Sequence, residues 1–299
     1  MTGTRRPWSS WSLIAASVVA AAGFAWPLVA AAVPAQAQVA VPVVALAIVP
    51  ALVVAIALIL DREMFTATTV ALLGVLAAVG AAIRIAGTGV GGVEAVFILL
   101  ILAGRAYGAR FGFLLGMLTI ALSSVLWGGF GPWTPFQAFA CGWVAAGAGL
   151  LPRVTIASPR AASRVEVGML VGYGIVASYA FGLVMNFWYW PFAVGMGTDI
   201  SYTSGAPLGQ NLSSFWVYSL LTSTLTWDTV RAITTTIGLI LLGPAVLAAL
   251  RRARIGRSRA VAVRPRSTGQ PGDGTRTRRS TARDAVAAPP TAPRPSARA

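Results

Sequence analysis

This chain of 299 residues has no histidine, no lysine and one cysteine, and only 10% of its residues are charged. Each shortage removes a class of chemistry. Without histidine, the commonest general base and metal ligand is missing and no Ser-His-Asp arrangement is available. Cys141, alone in an apolar run, supports neither a disulfide framework nor a cysteine metal site. Without lysine there is no Gly-x-x-x-x-Gly-Lys-Ser/Thr phosphate loop, so ATP hydrolysis, if used, belongs to another chain. The acids form no tight cluster, and no catalytic residue, cofactor or metal site is expected.

What is abundant is apolar surface. The chain is 57% hydrophobic with a mean hydropathy of +0.75, values of a polytopic membrane protein. Apolar runs cover Leu13–Val33, Val39–Leu60, Thr66–Ile85, Val93–Ala103, Phe111–Leu126, Phe136–Leu151, Val165–Phe187 and Val230–Leu250. Several approach the roughly 20 residues that a helix needs to cross a bilayer. The expected fold class is all-α: two N-terminal transmembrane helices (residues 1–65), a six-helix core (66–250) and a disordered tail (251–299). The first run ends near Ala35-Gln36-Ala37, which resembles a signal-peptidase site. That run is longer than a usual signal core, so a retained helix is expected over a cleaved one.

All 23 basic residues are arginine and their distribution is uneven. From Arg251 onward, 13 arginines and two aspartates give +11, in a stretch rich in Pro, Ser, Thr and Ala without periodicity. Its first arginines, Arg251, Arg252 and Arg254, suit anionic lipid headgroups, a reading favoured over nucleic acid. With the N-terminus in the cytoplasm, 21 of the 23 arginines fall inside and only Arg84 and Arg231 outside. The positive-inside rule thus places both termini in the cytoplasm of a plasma membrane.

Residues 128–137, Gly-Gly-Phe-Gly-Pro-Trp-Thr-Pro-Phe-Gln, form the most elaborate connection. Pro132 and Pro135 disfavour helix at Gly131 and Thr134. Trp133, Thr134 and Gln137 would then place an indole N–H, a hydroxyl and an amide in one bent loop at the outer surface. A rise of 1.5 Å per residue brings Arg84, Asn186 and Asp228 to the same outer level, and sets Glu94 about 16 Å above Arg105, within the membrane. A carboxylate at that depth needs a partner, and Arg84 is the expected one. Asp228 and Arg231, three apart, suit a pair along one helix surface. Tyr189 and Trp190, within Asn186-Phe-Trp-Tyr-Trp190, suit either a pocket or an ordinary aromatic belt. Residues 191–226 are long enough for a lid, with Phe215–Leu225 reading as a short helix on or dipping into the outer face. The candidate solute contacts are therefore Arg84, Glu94, Trp133, Thr134, Gln137, Asn186, Tyr189, Trp190 and Asp228. A pocket of rings and amides suits a flat or amphipathic organic solute.

Gly129–Gln137, following Gly104-Arg-Ala-Tyr-Gly-Ala-Arg-Phe-Gly-Phe-Leu-Leu-Gly116, resembles the substrate-binding S components of energy-coupling factor (ECF) vitamin transporters, in the group with cobalamin-type members. The resemblance covers residues 66–250. It implies a six-helix core that binds a vitamin at its outer face and topples in the membrane to deliver it. It also implies partners: a transmembrane scaffold subunit and ATP-binding cassette ATPases. An alanine-rich first core helix docks on the scaffold in that family, which here implicates Gly74, Ala77, Ala78, Ala81 and Ala82. Cobalamin comes from the resemblance alone, because the pocket residues fit a thiamin-like or riboflavin-like ring equally. The two helices before the core and the arginine-rich tail depart from the family pattern. A membrane enzyme acting on a lipid-linked substrate through Glu94, Asp199 or Asp228, and a structural membrane protein, are the alternatives.

Overall fold

The computed structural model describes residues 8–31, 67–87, 93–127, 129–194 and 197–253, all within one compact unit, Met1–Gly256. The run Val39–Leu60, the Ala35-Gln36-Ala37 sequence, Gly128 and the tail beyond residue 253 lie outside these residues. Among the described residues there is no strand. The helices are α1 (Trp8–Phe24), α2 (Trp26–Ala31), α3 (Ala67–Ala86), α4 (Val96–Tyr107), α5 (Ala109–Trp127), α6 (Thr134–Leu150), α7 (Pro159–Ala193), α8 (Leu208–Ser219) and α9 (Thr229–Arg252), with a π-helical segment, Leu220–Asp228, joining α8 to α9. Four stretches are long and apolar enough to cross a membrane: α3, α5, α7 and the continuous Leu208–Arg252. The fold is that of an all-α polytopic membrane protein.

The core is built around α4. This 12-residue helix is apolar on every side, as a helix enclosed by others must be. Leu100, Ile101, Leu102 and Ala103 are wholly buried, with α3, α5, α6, α7 and α9 around them. The glycines of the Gly104–Gly116 sequence set the closest approach. A Cβ on Gly104 or Gly112 would run into the backbone of Ala145, and one on Gly116 would lie 2.5 Å from the Cys141–Gly142 peptide. These glycines let α4, α5 and α6 meet backbone to backbone, as small residues do between helices in lipid. Gly108, at φ +98°, makes the turn between α4 and α5.

Three expectations are corrected. The run Leu13–Val33 is not one helix: it breaks between α1 and α2 at Ala25. Pro27 cannot donate to the carbonyl one turn earlier and its ring crowds that turn. These helices pack on the core. Ala20, Phe24 and Trp26 are buried in it, Phe24 packs 5.0 Å from Phe136, and Trp26 Nε1 donates to the Trp188 carbonyl at 2.9 Å. The second correction concerns Phe215–Leu225, which is not a separate surface helix. Neither glycine nor proline interrupts residues 210–237, so the chain runs helical from α8 into α9 and absorbs extra residues as the π segment. There Thr229 Oγ1 donates to the Thr224 carbonyl at 2.7 Å and Thr222 Oγ1 to the Tyr218 carbonyl at 2.7 Å. Third, α7 runs on to Ala193 with Pro191 inside its last turn, six residues past the expected end at Phe187.

The far end of the bundle is closed by an ion cluster. Glu166 on α7 accepts from Arg105 of α4 at 2.8 Å and from Arg251 of α9 at 2.6 and 3.0 Å. Arg105 also donates to the Leu151 carbonyl at 2.7 Å, and the Tyr107 hydroxyl donates to the Leu250 carbonyl at 2.7 Å. These bonds tie together one end of α4, α6, α7 and α9. The same end carries Arg110 at the start of α5, Arg153 in the α6–α7 connection, Arg160 and Arg164 in the first turns of α7 and Arg252 at the end of α9. That leaves the opposite end, with Arg84 and Arg231 among the described arginines, poor in arginine.

Candidate functional site

At the arginine-poor end, a cavity of about 220 Å³ opens between two groups of elements. One side comes from α3, α5 and α6: Ile83, Arg84, Ile120, Trp127, Gln137 and Cys141. The other comes from Glu94 and the start of α4, with Phe97, Phe181 of α7 and Trp227 of the π segment. Each side holds one charged residue in a defined network.

Arg84 leaves the last turn of α3. Its guanidinium donates to Ser123 Oγ of α5 at 3.0 Å and to Gln137 Oε1 of α6 at 2.8 Å. Ser123 Oγ in turn donates to the Ile120 carbonyl at 3.0 Å. Gln137 reaches Arg84 because it stands in the first turn of α6 and not in a loop. The loop expectation fails at Thr134, the first residue of that helix. Pro135 falls where a helix has no carbonyl for its N–H to bond, so the ring does no harm. Thr134 Oγ1 accepts from Gly131 N–H at 2.9 Å and is buried, so it shapes the turn. Trp133 folds back over Gly131, half-exposed, and does not line the cavity.

Glu94 is not paired with Arg84, contrary to expectation. Its Oε2 accepts from Arg231 Nε at 2.5 Å. Arg231 NH1 donates to Asp228 Oδ1 at 2.6 Å and to the Ser178 carbonyl at 3.1 Å. Asp228 Oδ2 accepts from Ser223 Oγ at 2.9 Å, and Asp228 is wholly buried. The Arg231 guanidinium also lies 4.9 Å from the Phe181 ring centre and 5.6 Å from that of Phe97. Charge at this depth demands partners of opposite sign and hydrogen bonds of this kind. Two local features make it possible. Gly182 of α7 leaves the space that the Asp228 carboxylate occupies. The π segment ends at Asp228, and π turns redirect side chains and cluster at functional sites.

The remaining candidates lie elsewhere. Asn186 donates to Ser219 Oγ at 3.0 Å and ties α7 to α8. Trp190 is buried with Phe215 and Tyr218 in a second core cluster, donating to the Ile200 carbonyl at 2.7 Å. Tyr189 is exposed. Of the nine expected solute contacts, Arg84, Glu94 and Gln137 line the cavity, Asp228 stands behind it through Arg231, and the other five do not line it. Sequence reasoning missed Arg231 as the centre of a network, and missed Trp127, Trp227, Phe97 and Phe181 as lining. The i to i+3 spacing from Asp228 was the available signal for Arg231.

On α3, Gly74, Ala78 and Ala82 are exposed on one face, and a Cβ at Gly74 would meet nothing within 4 Å. Ala77 and Ala81 are buried inside the protein, so they are not part of that face. Among the described residues, no group of three or more His, Cys, Asp or Glu is placed to hold a metal ion. No family model, curated protein or solved structure matches this chain.

Proposed function

We propose that this chain is the solute-binding component of an ECF-type importer in a plasma membrane. It takes a vitamin-like micronutrient at the outer face and hands it to a transmembrane scaffold driven by ATP-binding cassette ATPases. The observation that carries the reading is the cavity at the arginine-poor end, where a charged network faces aromatic rings. A pocket with a few convergent polar groups among apolar ones is the usual form of a small-molecule site. The positive-inside rule turns that end outward, with both termini and the basic tail in the cytoplasm against anionic lipid. The exposed Gly74, Ala78 and Ala82 supply the flat face on which a scaffold helix would lie.

The cavity volume of about 220 Å³ is below the roughly 300–1,000 Å³ of drug-sized sites. That favours a single-ring solute over a corrin. The test is purification in mild detergent, with mass spectrometry of retained small molecules and thermal stabilisation by a panel of vitamins and their precursors. A retained or stabilising micronutrient is expected. If none is retained and none stabilises, the importer reading fails.

A further inference from the structure

The cavity joins two charged networks of opposite sign, and the balance within each decides what it recognises. Asp228, Arg231 and Glu94 together carry one net negative charge. Arg231 is engaged on this side: Nε donates to Glu94, NH1 donates to Asp228 and the Ser178 carbonyl, and its guanidinium lies over the rings of Phe97 and Phe181. Glu94 differs. Its Oε2 is bonded, while Oε1 accepts from no donor among the described residues, and its side chain is 33% exposed in a cavity-lining position. Near it, Trp127 and Trp227 line the same cavity with more than half of their surface accessible. Indole faces attract cations, and an open carboxylate oxygen accepts N–H donors strongly.

Resting on the solute-binding reading above, we propose that this cavity selects a small nitrogen-bearing ring, with a cationic N–H edge on Glu94 Oε1 and its ring among Trp127 and Trp227. The opposite edge of the solute meets the Arg84–Gln137 side, where acceptors are favoured. Glu94 is thus the specificity-determining residue. The same volume that excludes a corrin admits one ring with one substituent.

Three probes of equal shape separate the possibilities: benzamidinium, benzamide and benzoate, titrated by calorimetry against the full chain in zwitterionic lipid nanodiscs. Benzamidinium should bind at least about tenfold more tightly than benzamide, the size of a charge-assisted hydrogen bond over a neutral one, and benzoate most weakly. Glu94→Gln should bring the benzamidinium-to-benzamide ratio close to one. Trp127→Leu, at an exposed residue outside the ion cluster, should weaken benzamidinium several-fold and keep the fold intact. Benzoate binding as tightly as benzamidinium would overturn the proposal by making Arg84 the selecting group. An unchanged ratio in Glu94→Gln, or no binding of any probe at millimolar concentration, would also overturn it. The importer reading fails separately. A retained anionic micronutrient would keep that reading and sink this inference, whereas the expected probe order without scaffold association would do the reverse.

Discussion

Replacing Arg231 by methionine removes the one cation between Glu94 and Asp228 while keeping an unbranched apolar side chain of similar reach. Asp228 then keeps only Ser223 Oγ, at 2.9 Å, with no water access at its wholly buried carboxylate. Removing one partner of a buried pair costs about 3–5 kcal/mol, because the other charge is stranded. Glu94, a third exposed, adds little to that figure. The double variant Arg231→Met, Asp228→Asn removes both charges and keeps the shape next to Gly182, so it should recover more than half of the loss. The assay is an unfolding titration from nonionic detergent into SDS, followed by tryptophan fluorescence. A cost under 1 kcal/mol for Arg231→Met would show that the cluster is well hydrated. Failure of the double variant to recover would show that the arginine acts through packing on Phe97 and Phe181. Either result refutes the reasoning.

The same titration separates three further expectations. Trp26→Ala should cost about 3 kcal/mol, since it empties a buried site and loses the bond to the Trp188 carbonyl. Gly116→Ala should destabilise by about 1–3 kcal/mol through overpacking against the Cys141–Gly142 peptide. Gly74→Ala, with open space around it, should instead stabilise by up to about 1 kcal/mol from helix propensity. In pull-down assays with a co-expressed scaffold, Ala78→Leu should abolish association and leave solute binding unchanged. Gln137→Ala should weaken solute binding about tenfold by releasing one of the bonds that hold Arg84, an effect read as a change in affinity with little change in melting temperature.

The expected runs match α3, α5, α6 and α9 to within three residues at each end because long apolar stretches carry their own signal. Phe215–Leu225 was not legible as part of one long helix for a specific reason. Its polar and aromatic content reads as a surface connection, yet Ser219 is buried against Asn186 of α7 and Ser223 is buried against Asp228 within the π segment. Composition cannot show a hydroxyl's partner. The decapeptide teaches the same lesson in reverse. Thr134 and Trp133 look like solute contacts because they are polar or aromatic, but both are spent on the turn itself, and only Gln137 reaches the cavity. Glu166 gave no warning at all. One acid in a long apolar run acquires meaning only when Arg105 and Arg251 arrive from helices 61 and 85 residues away.

Arg231 shows most clearly why depth counting reaches its limit. Counting rise along each helix puts Arg84, Asn186 and Asp228 at one outer level and offers Arg84 as the partner of Glu94. What decides the pairing is lateral position. Arg84 leaves α3 toward α5 and α6, whereas Arg231 leaves α9 toward α4 and α7, where Gly182 and the π segment have already fixed Asp228. Glu94 therefore completes a triad whose other two members lie on one turn. Because that triad has two acids for one arginine, it keeps one net negative charge facing the cavity, on the side opposite Arg84. A bare Glu94–Arg84 pair would have neutralised the cavity and left shape alone to discriminate. The observed pairing keeps the two charged sides apart and gives the cavity a polarity, which a symmetric or uncharged ring cannot exploit and a ring with distinct donor and acceptor edges can.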